Sequence, residues 1–182
     1  MDRALIIVDV QNDFCPNGAL PVEEGDKIIP VINKLMGKFN KIYASKDWHP
    51  EKSLHFEKWP VHCIQNSYGA EFHKDLNTTK IDEVFLKGTS NSDDGYSMFE
   101  ATNINFEEFL KKNSVKKLFI TGLALDFCVK ATALDAHKKG FETYIILDAT
   151  EAVNKEKKSE IIDELKKEGI KLVVSSDLLV VS

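Results

Sequence analysis

The chain has 182 residues, 43% of them hydrophobic, and a formal net charge of -5. A chain of this length buries a sizeable core without disulfides, so we expect one domain over residues 1–182. Its lysines are scattered rather than arranged in a basic stripe, which disfavours nucleic acid and membrane partners. A strand pattern starts near residue 4 and no apolar run reaches the roughly 18 residues that span a bilayer, so a cytoplasmic protein without a signal peptide is expected.

The chain contains three cysteines, Cys15, Cys63 and Cys128. Their odd number, their wide separation and the lack of a C-x-x-C pair argue against a disulfide framework and against a thiolate zinc site. Reduced thiols are therefore expected.

Six short apolar runs rich in β-branched residues predict strands, and stretches with helical periodicity follow most of them. Several runs are continuously apolar, which is typical of strands covered on both faces. The alternation predicts a three-layer α/β/α fold with an open, mostly parallel, six-stranded Rossmann-like sheet. The predicted strands cover residues 4–10, 41–45, 84–87, 117–122, 143–148 and 171–175, and the predicted helices 26–39, 105–112, 126–139 and 155–168.

Two segments lack a clean period. Residues 47–81 form a long polar and aromatic insertion after the second strand, and residues 88–101 follow the third strand. Long ordered loops in compact domains are usually functional. We expect both to lie over the carboxyl edge of the sheet.

Three chemically distinct side chains stand where predicted strands end. Asp9 ends the first strand, Lys87 ends the third, and Cys128 opens the helix after the fourth. Ligands of open parallel sheets bind beyond the carboxyl ends of the strands, and a helix start favours a thiolate at Cys128. Each residue also has a plain interpretation as a turn cap, a solvated charge or a packed thiol. Together they indicate a cysteine hydrolase.

A metal site is indicated within the insertion. Asp47 and His49 are two residues apart, so in an extended backbone both side chains point to one side. A third ligand is available at His62 or at His55, and spacing does not rank these two. Three protein ligands that leave positions open are typical of a catalytic site, for which zinc is the default and iron(II) or manganese would accept the same ligands.

With these residues assembled, the chain resembles the nicotinamidase branch of the isochorismatase-like cysteine hydrolases, from residue 4 to about residue 148. Five separated motifs occur in the family's order, which makes the resemblance specific. They are Asp9-Val10-Gln11-Asn12-Asp13-Phe14 with Cys15-Pro16 and Gly18-Ala19-Leu20; Asp47-Trp48-His49-Pro50; Trp59-Pro60-Val61-His62-Cys63 with Gly69-Ala70-Glu71; Lys87-Gly88 with Tyr96-Ser97 and Phe99; and Gly122 through Cys128.

The resemblance implies hydrolysis of nicotinamide to nicotinate and ammonia in NAD salvage, through a thioester intermediate, with pyrazinamide as a further substrate. It also implies a cis peptide before Ala124 and one divalent metal ion. At the position of His55 the family usually has another polar residue. The implied roles are Asp9 as general base, Lys87 as its cationic partner, Cys128 as nucleophile, the N–H groups of Ala124 and Cys128 as oxyanion hole, Asp47, His49 and His62 as metal ligands, and Phe14, Trp59 and Tyr96 as walls for the ring.

The chain departs from the family pattern at a few positions, one of them Leu123, where the family commonly has valine. Leu125 replaces a common threonine, and Met98 replaces an alanine and is expected to reshape the pocket wall. Three alternatives differ in class: a sibling amidohydrolase acting on a ureido or maleamic amide, an isochorismate-type vinyl-ether hydrolase, and a non-catalytic binding protein on this fold. Homo-oligomers are common in the family, and the sequence leaves the oligomeric state open.

Overall fold

A six-stranded sheet, parallel throughout, forms the centre of the protein. The computed structural model describes residues 2–179, and the strands lie in the order β3-β2-β1-β4-β5-β6. The prediction of an open parallel sheet is therefore confirmed. The strands are β1 (Arg3–Val8), β2 (Ile42–Asp47), β3 (Glu83–Lys87), β4 (Lys117–Leu123), β5 (Glu142–Glu151) and β6 (Lys171–Val173).

Helices cover both faces of the sheet, as the continuously apolar strands predict. Leu5 and Ile7 of β1 pack in one core cluster with α1 and α5, whereas Ile6 and Val8 pack in the other with α2, α3 and α4. Within residues 2–179, every helix is too short or too polar to span a bilayer. The helices are α1 (Ile29–Met36), α2 (Phe106–Lys112), α3 (Lys130–Lys138), α4 (Lys158–Lys167) and α5 (Ser175–Leu179).

The structure corrects three helix predictions. The segment predicted as one helix from residue 26 begins with a 3-10 turn, Gly25–Ile28, before α1. The helix predicted from residue 126 begins with a π-helical turn, Leu125–Val129, and becomes α-helical only at Lys130. The helix α5 was not predicted, because five residues are too few to display a helical period.

The strand order places the crevice of the sheet between β1 and β4. From β1 the chain proceeds outward through β2 and β3 on one side, and then returns to build β4, β5 and β6 on the other. Such a switch point leaves an opening at the carboxyl ends of the two central strands. Asp9 follows β1 and the turn carrying Cys128 follows β4, so both flank this opening.

Gly122 permits the close approach of β4 to β1 at the crevice. It pairs with Val8 and has a φ of 110°. A Cβ atom built there would lie 2.1 Å from the carbonyl oxygen of Val8. Glycine is therefore required at position 122 for two reasons, the positive φ of its backbone and the lack of space for a side chain.

We predict that Gly122→Ala destabilises the fold more than Gly140→Ala. Gly140 also has a positive φ, 90°, but a Cβ there meets nothing within 4 Å. Gly140→Ala should therefore cost only the backbone strain, about 1–2 kcal/mol, whereas Gly122→Ala adds the overpacking cost of about 1–3 kcal/mol. Urea denaturation of both variants measures the difference. Equal losses would contradict the assigned role of the Val8 contact.

Candidate active site

A buried lysine ammonium joins the charged groups at the carboxyl edge. Lys87, the last residue of β3, is fully buried. Its Nζ atom donates to Asp9 Oδ2 at 2.7 Å, to Asp47 Oδ1 at 2.5 Å and to the carbonyl oxygen of Gly95 at 2.8 Å, and it lies 3.3 Å from Cys128 Sγ. The structure thus brings the acid, the amine and the thiol into contact. A buried charge needs such partners, and here two carboxylates supply them.

Asp9 has the environment of a base that titrates near neutral pH. Burial raises the pKa of its carboxyl group to about 6, although the Lys87 ammonium and the Ser45 hydroxyl lower it. Ser45 Oγ donates to Asp9 Oδ1 at 2.7 Å, so both carboxylate oxygens have a fixed partner. The role of Ser45 was not predicted from the sequence. Strand alternation offered a signal, because Ser45 lies two residues before Asp47 on the same face of β2.

The surroundings of Cys128 favour the neutral thiol rather than the thiolate that was expected from the sequence. Burial raises the pKa of its thiol well above the usual value; the Lys87 ammonium lowers it, but the charges of Asp9 and Asp47 raise it again. Cys128 also lies on a π-helical turn rather than on the first turn of an α-helix. Cys128 therefore needs a base to become nucleophilic.

The turn before Cys128 has the backbone that the resemblance implied. The peptide bond between Leu123 and Ala124 is cis. The carbonyl oxygen of Ala124 accepts hydrogen bonds from the N–H groups of Phe127 and Val129, both at 3.1 Å. Ala124 and Cys128 both line the same cleft, so this turn faces any molecule bound there.

Two of the predicted metal ligands are imidazoles with a fixed tautomer. His49 Nδ1 donates to the carbonyl oxygen of Gly88 at 2.9 Å, and His62 Nδ1 donates to that of Pro60 at 2.6 Å. Because a carbonyl oxygen only accepts, each Nδ1 carries a proton, and in the neutral imidazole Nε2 is then the atom with the free lone pair. These Nε2 atoms lie 3.5 Å and 3.9 Å from Asp47 Oδ2.

The residues present fit a divalent metal ion. His49 Nε2 is buried and lacks a hydrogen-bond partner among residues 2–179, and its distance to Asp47 is long for a hydrogen bond. Burial opposes ionisation of Asp47, but the adjacent Lys87 ammonium holds the pKa of this carboxyl group below its usual value. An anionic oxygen beside an imidazole nitrogen without a hydrogen-bond partner is a set of ligand atoms that suits a cation.

The structure adds His55 to this cluster. One ring nitrogen each of His49, His55 and His62 lies within 4.8 Å of the others, and the His55 ring stacks on the His49 ring at 4.6 Å. Burial lowers the pKa of both His55 and His62, which favours the neutral imidazole that binds metal. Both candidates for the third ligand that the spacing left open, His55 and His62, therefore lie in the same cluster.

Aromatic residues wall the cleft in front of Cys128. Phe14, Trp59 and Tyr96 all line it, and its atom-free space, including the open mouth, is about 550 Å³. Trp59 Nε1 donates to the Tyr96 hydroxyl at 3.1 Å, and Trp59 packs edge-on against Phe127 at 5.0 Å. The sequence did not single out the other apolar walls. These are Leu20, Pro21, Val22, Leu123, Phe127 and Val153.

Met98 does not shape the pocket wall, contrary to the expectation from sequence. Met98 and Leu125 are both fully buried in the core cluster on the α2 face, and neither is among the described residues that line the cleft. The backbone N–H of Met98 donates to Thr132 Oγ1 at 3.0 Å. These two departures from the family pattern are therefore accommodated by core packing behind the site.

Comparison with known proteins places this site in a family. The model of the isochorismatase domain matches residues 3–177. The chain belongs to the isochorismatase family. Among relatives of this isochorismatase-family chain is the nicotinamidase of Escherichia coli, 36% identical over 179 residues, with 84% of each chain covered.

Solved structures of the same family superpose closely. The pyrazinamidase of Pyrococcus horikoshii in complex with zinc has a TM-score of 0.87 and 44% identity, covering 96% of this chain and 99% of its own. PnC1 from L. infantum in complex with nicotinate has a TM-score of 0.90 and 38% identity, covering 96% and 93% respectively.

We predict that alkylation of Cys128 by iodoacetamide keeps accelerating as the pH rises through 9. The reactive species is the thiolate, and burial together with two carboxylates holds the pKa of this thiol well above its usual value of 9.0. Mass spectrometry of labelled peptides gives the rate at each pH. Cys15 and Cys63, both buried, report any loss of the fold. A rate that levels off below pH 8 would show instead a thiolate paired with Lys87.

Proposed function

We propose that the protein is an amidohydrolase that converts nicotinamide to nicotinate and ammonia in NAD salvage, within one domain, and that it also accepts pyrazinamide. One observation carries the proposal: Lys87 connects a thiol, a base and a cluster of metal donors at the inner end of an aromatic cleft. The related proteins support the substrate, since one is a nicotinamidase, one a pyrazinamidase with zinc, and one is bound to nicotinate.

Acylation begins with proton transfer from Cys128 Sγ to the carboxylate of Asp9. The sulfur then attacks the carboxamide carbon, and the electron pair of the C=O bond moves to the oxygen. The N–H groups of Ala124 and Cys128 stabilise this oxyanion. Asp9 returns the proton to the amide nitrogen, the C–N bond breaks, and ammonia leaves a thioester on Cys128.

Deacylation repeats the proton transfers with water. Asp9 removes a proton from a water molecule, whose oxygen attacks the thioester carbon. The C–S bond then breaks, Asp9 returns its proton to the sulfur, and the acid product loses its carboxyl proton to solvent and leaves as nicotinate. Lys87 remains charged throughout. Burial opposes this charge, but Asp47 and Asp9 hold its pKa well above the usual value, so a positive charge stays beside the sulfur as it gains electron density.

Asp47, His49 and His62 would hold a divalent metal ion, and His55 is the added fourth donor. We propose zinc, because three imidazoles and one carboxylate suit it; iron(II) and manganese accept similar donors. The ion would supply a Lewis acid for the pyridine nitrogen. Phe14, Trp59 and Tyr96 would hold the flat ring from its sides, which leaves the carboxamide group for Cys128.

Ammonia release from a small amide panel tests the function. Nicotinamide and pyrazinamide should be hydrolysed, whereas benzamide, which has the same ring shape without a ring nitrogen, should be a far poorer substrate. Ureido and maleamic amides represent the sibling amidohydrolases and should be inert. Equal turnover of benzamide would remove the ring-nitrogen contact from the proposal, and preferred turnover of a ureido or maleamic amide would overturn the substrate assignment.

We predict that Cys128→Ala loses at least about 10⁴-fold in turnover, because it removes the nucleophile. Nicotinate should still bind, since the cleft walls and the metal donors are unchanged. Assays of ammonia release measure the turnover, and calorimetry measures the affinity for nicotinate. Hydroxylamine added to the wild type should divert the thioester to the hydroxamate of nicotinic acid. Substantial turnover by Cys128→Ala would exclude the thioester route.

We predict that kcat/KM falls by about tenfold per pH unit below pH 6 and is level above it. Asp9 acts as a carboxylate, and its pKa of about 6 means that the active form is lost as the pH decreases through that value. Ser45→Ala should move the inflection to higher pH, because the Ser45 hydrogen bond lowers this pKa. An inflection that Ser45→Ala leaves unmoved would assign it to another group.

We predict that metal removal raises KM more than it lowers kcat. The donors are assigned to the ring nitrogen rather than to the carboxamide, so ground-state and transition-state binding weaken together. Kinetics on chelated and zinc-restored protein measure both constants. Unchanged KM and kcat in demonstrably metal-free protein would contradict the assignment of Asp47, His49 and His62.

A further inference from the structure

The carboxylate of Asp93 is the centre of a hydrogen-bond network at the rim of the histidine cluster. Its Oδ1 atom accepts from His55 Nδ1 at 2.9 Å and from the Tyr96 hydroxyl at 3.1 Å. Its Oδ2 atom accepts from the ammonium group of Lys58. Asp94, the next residue, faces elsewhere and accepts from Ser90 Oγ at 3.3 Å. Two adjacent acids of one loop therefore have different surroundings.

We propose that Asp93 is a positioning residue that orients His55 toward the metal ion. The inference rests on the proposed metal site. An imidazole bonded through Nδ1–H to a carboxylate has its tautomer fixed, and only its Nε2 lone pair remains for a cation. Of the three clustered histidines, His55 is the one whose Nδ1 faces a carboxylate rather than a backbone carbonyl.

The burial of the pair supports this role. The side chain of His55 is 6% exposed and that of Asp93 is 22% exposed, so the hydrogen bond lies at the boundary between the cluster and solvent. A charged acceptor makes a stronger hydrogen bond than a carbonyl oxygen and increases the basicity of the opposite ring nitrogen. The ring of His55 would thus be held more firmly than by a carbonyl oxygen, and its Nε2 atom would donate its lone pair to a cation more strongly.

Asp93 reaches His55 from a different segment of the chain. His55 lies in the insertion after β2, and Asp93 lies in the loop after β3. The backbone N–H of Leu54 donates to the carbonyl oxygen of Asn91 at 2.8 Å, next to this contact. A backbone hydrogen bond therefore connects the two loops next to the contact between the Asp93 carboxylate and the His55 imidazole, and it helps to hold these two side chains at hydrogen-bonding distance.

Zinc affinity, measured by competition with a chromophoric chelator, tests the inference without using turnover. Asp93→Ala should bind zinc about 10- to 100-fold more weakly, and Asp93→Asn, which keeps an acceptor oxygen, should lose less. Asp94→Ala removes the same charge from the neighbouring position, and Lys58→Met removes another partner of Asp93. Both should bind zinc like the wild type. A loss in either control equal to that of Asp93→Ala would overturn the inference.

A double-mutant cycle with His55→Ala decides whether Asp93 acts through the imidazole. In the His55→Ala background, Asp93→Ala should cause no further loss of zinc affinity. The same loss in both backgrounds, or unchanged affinity of Asp93→Ala in the otherwise wild-type chain, would overturn the inference.

The same titrations separate this inference from the proposed function. Wild-type protein that binds no zinc would overturn both the metal site and the role of Asp93. Zinc binding that depends on Asp93 and His55, without ammonia release from nicotinamide, would support the positioning role and contradict the proposed reaction. Hydrolysis of nicotinamide with zinc affinity insensitive to Asp93→Ala would contradict the positioning role alone.

Discussion

The buried ammonium of Lys87 is the constraint on which the rest of the site depends. Desolvation opposes its charge, so the ion is tenable only because Asp9 and Asp47 face it directly. The reverse holds for the carboxylates, which would repel one another without a cation between them. Three strand ends must therefore stay in register for any of the three charges to be stable. Parallel pairing of β1 with β2 and of β2 with β3 provides that register.

Asp47 connects the hydrolytic groups to the metal donors through its two oxygens. Oδ1 accepts from Lys87, while Oδ2 faces the Nε2 atoms of His49 and His62. One carboxylate thus contributes to the balance of charge around Cys128 and to a cation site. Since Asp9 and Asp47 together exceed the single charge of Lys87, the site has no positive charge left to stabilise a resting thiolate. A neutral thiol with a nearby base follows from this balance.

The sequence predicted the parts of the site that strand ends determine. Apolar runs located all six strands, and the rule that parallel strands share a carboxyl edge was enough to place Asp9, Lys87 and Cys128 together. The hydrophobic pattern did not predict the strand order, because it carries no information on which strands are neighbours. Ser45 and Asp93 were also missed, since their roles depend on contacts between segments 36 and 38 residues apart. The wrong expectation that Met98 shapes the pocket wall has the same cause, because only the packing of the folded chain shows that Met98 lies in the core behind the site.

The division of labour between strands and loops has a consequence for specificity. The groups that make and break bonds stand at strand ends or on the turn after β4, where backbone pairing fixes them. The aromatic walls and the histidine cluster lie mainly on the two loops after β2 and β3, which hold each other through Trp59, Tyr96, His55 and Asp93. A change in these loops would alter which amide is held without disturbing Lys87 and its partners. Hydrogen bonds connect His55, proposed as a metal donor, through Asp93 to Tyr96 and Trp59, proposed as ring walls. A substitution in one set is therefore expected to affect the other as well.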